Sequence, residues 1–92
     1  MTARVEQFDA SAPWRLDPQV SLRDEEFGAL AYHHGNRRLV FLKSRALVDL
    51  VRSLEEHESA MVAVDLLAPR EQRERYVGAL ASLARSEVLS VR

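Results

Sequence analysis

Two adjacent histidines, His33 and His34, stand beside a Gly35-Asn36 pair, and their imidazoles are the groups best suited to metal binding or acid–base chemistry. Consecutive side chains of a strand point to opposite faces, so the two imidazoles are poorly placed to bind one metal ion. The third histidine, His57, is isolated near the expected end of a helix, where a protonated imidazole suits the helix dipole. We therefore interpret the histidine pair as the tip of a hairpin.

Acidic residues occur in two runs, Asp24-Glu25-Glu26 and Glu55-Glu56, which are typical of solvated turns. Paired catalytic carboxylates need unequal environments that separate their pKa values, and the sequence gives no sign of such environments. It also lacks a phosphate-binding glycine loop, a dinucleotide motif, a nucleophile elbow and a zinc-protease motif. Without cysteine there is no thiolate nucleophile, disulfide or cysteine-bound metal. The sequence predicts a protein that is not an enzyme and has no cofactor of its own.

The composition limits the size and the class of the protein. Its 92 residues suffice for one small domain, and 47% hydrophobic with 29% charged residues is typical of a soluble globular protein. The net charge of −1 lacks the positive field that nucleic-acid binding requires. No apolar run has the length of a signal-peptide core or a membrane span, so we expect a cytoplasmic protein. Polar residues 1–13 predict a flexible N-terminal arm, followed by one domain over residues 14–92.

The runs "FGALAYHH" and "RRLVFLK", on either side of the Gly-Asn pair, predict a β-hairpin with a two-residue loop. In that register Tyr32 faces Leu39 and Leu30 faces Phe41, and these bulky side chains are expected to point into the core. The opposite face of the hairpin carries smaller apolar residues, namely Phe27, Ala29, Ala31, Val40 and Leu42. Alternating apolar and polar residues just before the hairpin indicate a first strand.

Helical spacing of apolar residues begins after Ser44, a suitable N-cap, and continues to about His57. Arg45 and Asp49 are four residues apart and are expected to pair on the exposed side of this first helix. A second helix is predicted over residues 59–67. Its expected inward residues are Met61, Val64 and Leu67.

A third helix is predicted to open at Pro69, because proline is tolerated in the first turn of a helix. Its apolar stripe consists of Tyr76, Val77, Leu80, Leu83 and Ala84. The whole order predicts an α+β fold, a small winged helix-turn-helix in which a three-stranded antiparallel sheet is followed by three helices.

Two binding surfaces are compatible with this fold. The third helix would be the recognition helix of a small winged-helix nucleic-acid-binding or regulatory module. Its arginines are offset by acids, however, which leaves phosphate contact weak. The other surface is the last strand of the sheet, an apolar edge bracketed by Arg37, Arg38 and Lys43. Those cations either guard the edge against aggregation or leave it open for an extended peptide that adds as a further strand.

The pieces "PWRL", "FGAL-Y" and "RRL-FLK", with the amphipathic helix that follows, resemble the peptide chaperones of mycofactocin biosynthesis. These chaperones are PqqD-like RiPP recognition elements. The resemblance is strongest over residues 13–57 and continues more loosely to the C-terminus. It implies a winged-helix fold and a non-catalytic protein that binds the leader of a ribosomally made precursor peptide. It also implies delivery of that peptide to a radical SAM maturase, which holds the iron–sulfur clusters and the cofactor.

The resemblance implies that the leader lies along the third strand, in a cleft shared with the third helix. On this sequence the strand residues are Arg37, Arg38, Leu39, Val40, Phe41, Leu42 and Lys43. The helix residues expected beside them are Arg73, Tyr76, Val77 and Leu80. The arginines would attract acidic leader residues. Tyr76 and Leu80 either hold apolar leader residues or belong to the core. The small-residue face of the hairpin is a candidate contact for the maturase, and a homodimer is the alternative use of that face.

Overall fold

The computed structural model describes residues 8–92, in which two small sheets and three helices surround one core. The strands are β1 (Trp14–Leu16), β2 (Val20–Glu25), β3 (Gly28–His33), β4 (Leu39–Leu42) and β5 (Leu89–Val91). The helices are α1 (Arg45–Ser53), α2 (Ala60–Leu67) and α3 (Arg73–Arg85), with 3-10 turns at Leu54–Glu56 and Arg70–Gln72. The predicted three-stranded antiparallel sheet followed by three helices is confirmed, with strand order β2-β3-β4. The two-stranded antiparallel sheet of β1 and β5 was not predicted.

The β3–β4 hairpin has the predicted register, because Tyr32 is paired with Leu39 and Leu30 with Phe41. Its turn is longer than the expected two residues. The amide of Arg37 donates to the carbonyl of His33 at 2.7 Å, and Arg37 has a φ of 65°. A four-residue turn with one left-handed residue therefore closes the hairpin and keeps the register of a two-residue loop.

The face of the sheet that packs against the helices is the opposite of the one expected. Ala29, Ala31 and Leu42 are almost completely buried, whereas Leu39 and Phe41 are exposed. Small alanines let α1 approach β3 closely, and larger side chains of the helix fill the space above them. The main α1 contributors to the core are Val48, Leu50 and Val51. Ala29, Ala31 and Leu42 are thus part of the core, with Val40 packed against it, and are not available to a maturase or a second copy of the chain. Phe27, which was expected on the same face, is instead exposed and stacks on Phe41.

The first two helices begin where the sequence indicated. The hydroxyl of Ser44 accepts a hydrogen bond from the amide of Leu47 at 3.0 Å, so Ser44 is the N-cap of α1. The expected pairing of Arg45 with Asp49 is wrong, since Arg45 contacts Asp24 at 3.2 Å. The end of the β2–β3 hairpin lies against the start of α1 and offers the closer carboxylate.

The third helix, expected to open at Pro69, begins at Arg73, because residues Arg70–Gln72 form a 3-10 turn after the proline. The second helix agrees with expectation only in part. Ser59 caps α2 by accepting from the amide of Val62 at 3.2 Å. Val64 is buried as predicted, but Leu67 is exposed because it lies at the last turn of α2, away from the core. Among residues 8–92, no helix has the length and apolarity needed to cross a membrane.

Residues 8–13 contact the rest of the domain. The carbonyls of Ala10 and Ala12 accept hydrogen bonds from the first amides of α2, at 2.9 and 3.2 Å. The indole of Trp14 donates to the carbonyl of Asp9 at 2.7 Å and lies 4.9 Å from the ring of Phe8. The remainder of the expected N-terminal arm, residues 1–7, lies outside the described residues.

Candidate functional site

Strand β4 forms one edge of the three-stranded sheet within the described residues. The amide of His33 donates to the carbonyl of Arg38 at 3.0 Å, which fixes the alternation of hydrogen bonds along β3 and β4. In an antiparallel pair every second residue bonds to the neighbouring strand. The N–H and C=O groups of Leu39 and Phe41 therefore point away from β3, toward the open edge. An extended chain placed there finds a row of backbone donors and acceptors.

A groove of about 220 Å³ lies beside the end of β4, between the start of α1 and the face of α3. Its residues include Lys43, Leu47, Gln72, Arg75, Tyr76 and Ala79. Leu47, Tyr76 and Ala79 are partly buried and make the groove apolar, whereas Lys43 and Arg75 are exposed. The groove therefore combines an apolar floor with a basic rim.

A second, larger hollow of about 620 Å³ lies on the other side of α3, against α2. Arg73 lines it and donates through Nε to Asp65 at 2.7 Å and through an Nη atom to the sulfur of Met61 at 2.8 Å. Val64, Ala68 and Arg70 complete the lining. The structure thus places Arg73 in a different hollow from Tyr76, although the two were expected to share one cleft.

Of the expected strand residues, the structure places Lys43 in one groove with Tyr76, and the other expected helix residues do not line that groove. The side chains of Leu42 and Leu80 are fully buried in the core, so only the backbone of Leu42 remains near the edge. Val77 is partly buried and also packs against the core. Of the two options, Leu80 belongs to the core, whereas Tyr76 lines the groove and also packs against the core.

Five groove residues were not expected from the sequence, namely Ser44, Leu47, Gln72, Arg75 and Ala79. A signal for three of them was present, since Gln72, Arg75, Tyr76 and Ala79 follow the i, i+3, i+4, i+7 spacing of one helix face. The expected set followed the same spacing but began one residue later, at Arg73. One residue turns a helix by about 100°, enough to move the predicted face from the groove toward the core and, at Arg73, into the other hollow.

Cations that take part in no ion pair within the described residues surround the strand edge. The ion pairs within residues 8–92 engage Arg23, Arg45, Arg52 and Arg73. Arg37 and Arg38 at the start of β4, and Lys43 and Arg75 at its end, take part in none of these pairs and are exposed. The edge is therefore apolar in its middle and positively charged at both ends. This arrangement favours a ligand that is apolar in its middle and acidic at its ends.

The start of α1, which forms one wall of the groove, is held against the sheet by a charged cluster. Arg45 donates to Asp24 and, at 3.0 Å, to the carbonyl of Gly28, while Arg52 lies 3.3 Å from Asp24. The hydrogen bond from Arg45, together with the charges of Arg45 and Arg52, lowers the pKa of the Asp24 carboxyl below its ordinary 3.8. This cluster fixes α1 relative to the hairpin that carries β4.

The histidine pair lies at the hairpin tip, as predicted. The Nδ1 atom of buried His33 accepts hydrogen bonds from the amides of Gly35 and Asn36, at 3.0 and 3.1 Å. The ring of His34 contacts Ser21 at 2.8 Å on the opposite face. Within residues 8–92, no group of three His, Cys, Asp or Glu side chains is arranged to hold a metal ion. His33 thus shapes the turn from which β4 starts.

Comparison with known proteins shows which family the sequence resembles. A sequence model of the peptide chaperone MftB family matches residues 13–90. The chain is 43% identical over 83 residues to the peptide chaperone MftB of Mycolicibacterium smegmatis. The alignment covers 89% of this chain and 81% of that protein. It is 39% identical over 84 residues to the peptide chaperone MftB of Mycobacterium tuberculosis, in an alignment that covers 90% of this chain and 77% of that protein. A solved structure of lasso peptide synthetase B1 complexed with the leader peptide has the same fold, with a TM-score of 0.62 at 19% identity, covering 88% of this chain and all of that one.

Proposed function

Because the chain belongs to the peptide chaperone MftB family, we propose that it binds the leader of a mycofactocin precursor peptide as an added strand on β4. The observation that carries the proposal is the open edge of β4 beside the groove of α3. Leu39 and Phe41 offer outward backbone groups there, and the groove lies next to the end of the strand. An extended peptide obtains affinity from main-chain hydrogen bonds and specificity from the pockets that its alternate side chains enter.

The side chains of the groove and rim decide which peptide binds. Residues of the added strand that face the helices reach Leu47, Tyr76 and Ala79, so apolar side chains are favoured at those positions. Residues at the two ends of the bound segment lie near Arg37, Arg38, Lys43 and Arg75, so acidic side chains are favoured there. Arg75 takes the role that sequence analysis assigned to Arg73.

The chaperone presents the bound peptide to a radical SAM maturase and does not itself catalyse a reaction. The relatives in this family are named peptide chaperones, which supports a role in holding a substrate for another protein. The maturase would supply the cofactor and the chemistry. We place this partnership in the cytoplasm, where a ribosomally made precursor is available.

Titration of isotope-labelled protein with the precursor peptide, followed by amide NMR shifts, tests the proposal. We expect large shifts confined to residues 37–43 and to the groove face of α3. Duplex DNA in a parallel titration should give no such shifts, and peptide affinity should fall only modestly between 50 and 500 mM salt, in contrast to the steep fall expected for phosphate contacts. Absence of any shift at millimolar peptide would overturn the assignment.

Two variants at one position separate the backbone contribution from that of the side chain. Leu39→Pro removes an N–H that points to the open edge, which a strand at the edge of a sheet tolerates. Leu39→Ala removes most of the side chain and keeps the N–H. We expect Leu39→Pro to bind the precursor about tenfold more weakly than Leu39→Ala, the effect of one lost hydrogen bond in a partly desolvated site. Equal affinities for the two variants would argue against strand addition.

A further inference from the structure

The face of the sheet that points away from the helices carries three large apolar side chains in contact with solvent. Phe27, Leu39 and Phe41 are 44%, 57% and 56% exposed. The rings of Phe27 and Phe41 are stacked with their centroids 5.5 Å apart. Contiguous exposed apolar side chains of this kind commonly mark an interaction site. We call these three residues the outer patch.

The outer patch adjoins the open edge of the sheet. Leu39 and Phe41 are the two residues whose backbone groups point to that edge, so residues of an added strand pair directly with them. Side chains of directly paired residues share a face, with Cβ atoms about 5 Å apart. The peptide residues paired with Leu39 and Phe41 therefore project onto the outer patch, while the residues between them face the groove.

The charges at the ends of β4 decide between two occupants of this edge and its outer patch. If a second copy of the chain paired through β4 in antiparallel fashion, Arg37 and Arg38 of one copy would approach Lys43 of the other. Like charges placed opposite each other destabilise strand pairing. An acidic peptide meets the same cations favourably, because none of the three takes part in an ion pair within residues 8–92.

We propose that the outer patch is a second subsite for the precursor peptide, which takes apolar side chains at alternate positions on the side away from α3. This subsite rests on the function proposed above and extends it. The recognised segment is then apolar on both faces of the added strand and acidic at its ends, whereas recognition by the groove alone requires apolar residues on one face only. Phe27 supports Phe41 from the β2–β3 turn and keeps its ring over the edge.

Calorimetric titration of the precursor peptide into three single variants tests this subsite. Phe41→Ala should weaken binding about tenfold, and Phe27→Ala about threefold through the lost support of Phe41. The matched control is Leu66→Ala, which removes an apolar side chain that is 67% exposed on α2 and should stay within twofold of the wild-type affinity. Amide spectra of each variant establish that the fold is unchanged.

An alanine scan of the precursor peptide against wild-type protein gives an independent readout. If both faces of the added strand are recognised, consecutive central residues of the bound segment should each lose affinity. Sensitivity at every second residue only, together with wild-type affinity of Phe41→Ala, would overturn the subsite and leave the outer patch for another partner such as the maturase. Failure of the wild-type protein to bind the precursor at all would instead overturn the proposed function, and the subsite with it.

Discussion

The two hollows that flank α3 differ in size and in what they offer a peptide. The hollow against α2 is nearly three times larger, at about 620 Å³ compared with about 220 Å³ for the groove beside β4. In the larger hollow Arg73 is already paired with Asp65 and contacts Met61. The smaller groove adjoins an open strand edge and two cations that take part in none of the ion pairs among residues 8–92, Lys43 and Arg75.

Under the binding mode proposed above, the larger volume does not mark where an extended peptide binds. The backbone groups of α2 and α3 are largely bonded within their own helices, so the hollow between them offers a peptide little main-chain pairing. Strand β4 offers main-chain pairing at Leu39 and Phe41, which gives affinity that does not depend on the peptide sequence. The smaller groove then needs only to select side chains.

The largest expected effect is on stability and comes from Gly28, which packs against the backbone at the end of β4 beside the smaller groove. Gly28 has a φ of 149°, and a Cβ added there would collide with the carbonyl oxygen of Leu42. We expect Gly28→Ala to lower the free energy of unfolding by about 3 kcal/mol, or about 15 °C in Tm, because both the backbone conformation and the space require glycine. Thermal unfolding followed by circular dichroism measures the change.

Gly78 of α3 provides the control for this substitution. A Cβ added at Gly78 meets no atom within 4 Å, so Gly78→Ala should raise stability by up to about 1 kcal/mol through helix propensity. A loss of stability in Gly78→Ala, or none in Gly28→Ala, would contradict the packing described for these two positions.

A second prediction compares the two hollows directly through a matched pair of charge reversals on α3. Arg75→Glu places a negative charge on the rim of the groove beside β4, and under the proposed binding mode we expect it to weaken peptide binding about tenfold at low salt. Arg73→Glu makes the same change two residues away, in the other hollow, and should alter peptide affinity by less than twofold. Calorimetric titration at two salt concentrations measures both.

The stability of the two variants provides the internal check. Arg73→Glu removes the ion pair with Asp65, and exposed pairs of this kind contribute about 0.5 kcal/mol. A larger loss of peptide affinity in Arg73→Glu than in Arg75→Glu would reverse the assignment of the hollows and restore the cleft expected from sequence.

The smallest expected effect concerns the cluster that holds α1 against the sheet. The pKa of Asp24 is lowered by the hydrogen bond from Arg45 and the nearby charges, so its stabilising contribution is present above the ordinary value of 3.8. That contribution is lost as pH falls through the lowered pKa. Wild-type protein should therefore be slightly more stable than Asp24→Asn at pH 7, and the difference in Tm should shrink toward pH 3. A constant difference would show that Asp24 acts through packing and not through its charge.

The sequence predicted the hairpin register but not which face of the hairpin is buried. The register followed from the turn and from the apolar alternation, and the pairing of Tyr32 with Leu39 confirms it. The bulkier face was expected inside because burial of larger side chains stabilises more. That expectation ignored the helix, since α1 can lie close to β3 only where Ala29 and Ala31 leave room. Apolar content alone does not tell a core face from an exposed face.

The remaining differences between prediction and structure have two causes, the rotation of α3 about its axis and the separation of β1 and β5 along the chain. The third helix was predicted, but the face that lines the groove begins at Gln72 and not at Arg73. Both side chains are polar, so the sequence does not show which of the two begins that face. The β1–β5 pairing joins Trp14 to Val91, and each strand has three residues. Such short segments carry little periodic signal, and their partners lie too far apart for a turn motif to link them.

The same β1–β5 ladder has a consequence for the order in which the protein folds. The β3–β4 hairpin and the helices form from contacts that are near in sequence, whereas joining Trp14 to Val91 closes a loop that contains most of the chain. We expect this ladder to form last in folding and to open first in native-state fluctuations. Amide hydrogen exchange at residues 89–92 should therefore be faster than in β3. The two ends of the domain would then separate transiently while the sheet and its open edge stay intact.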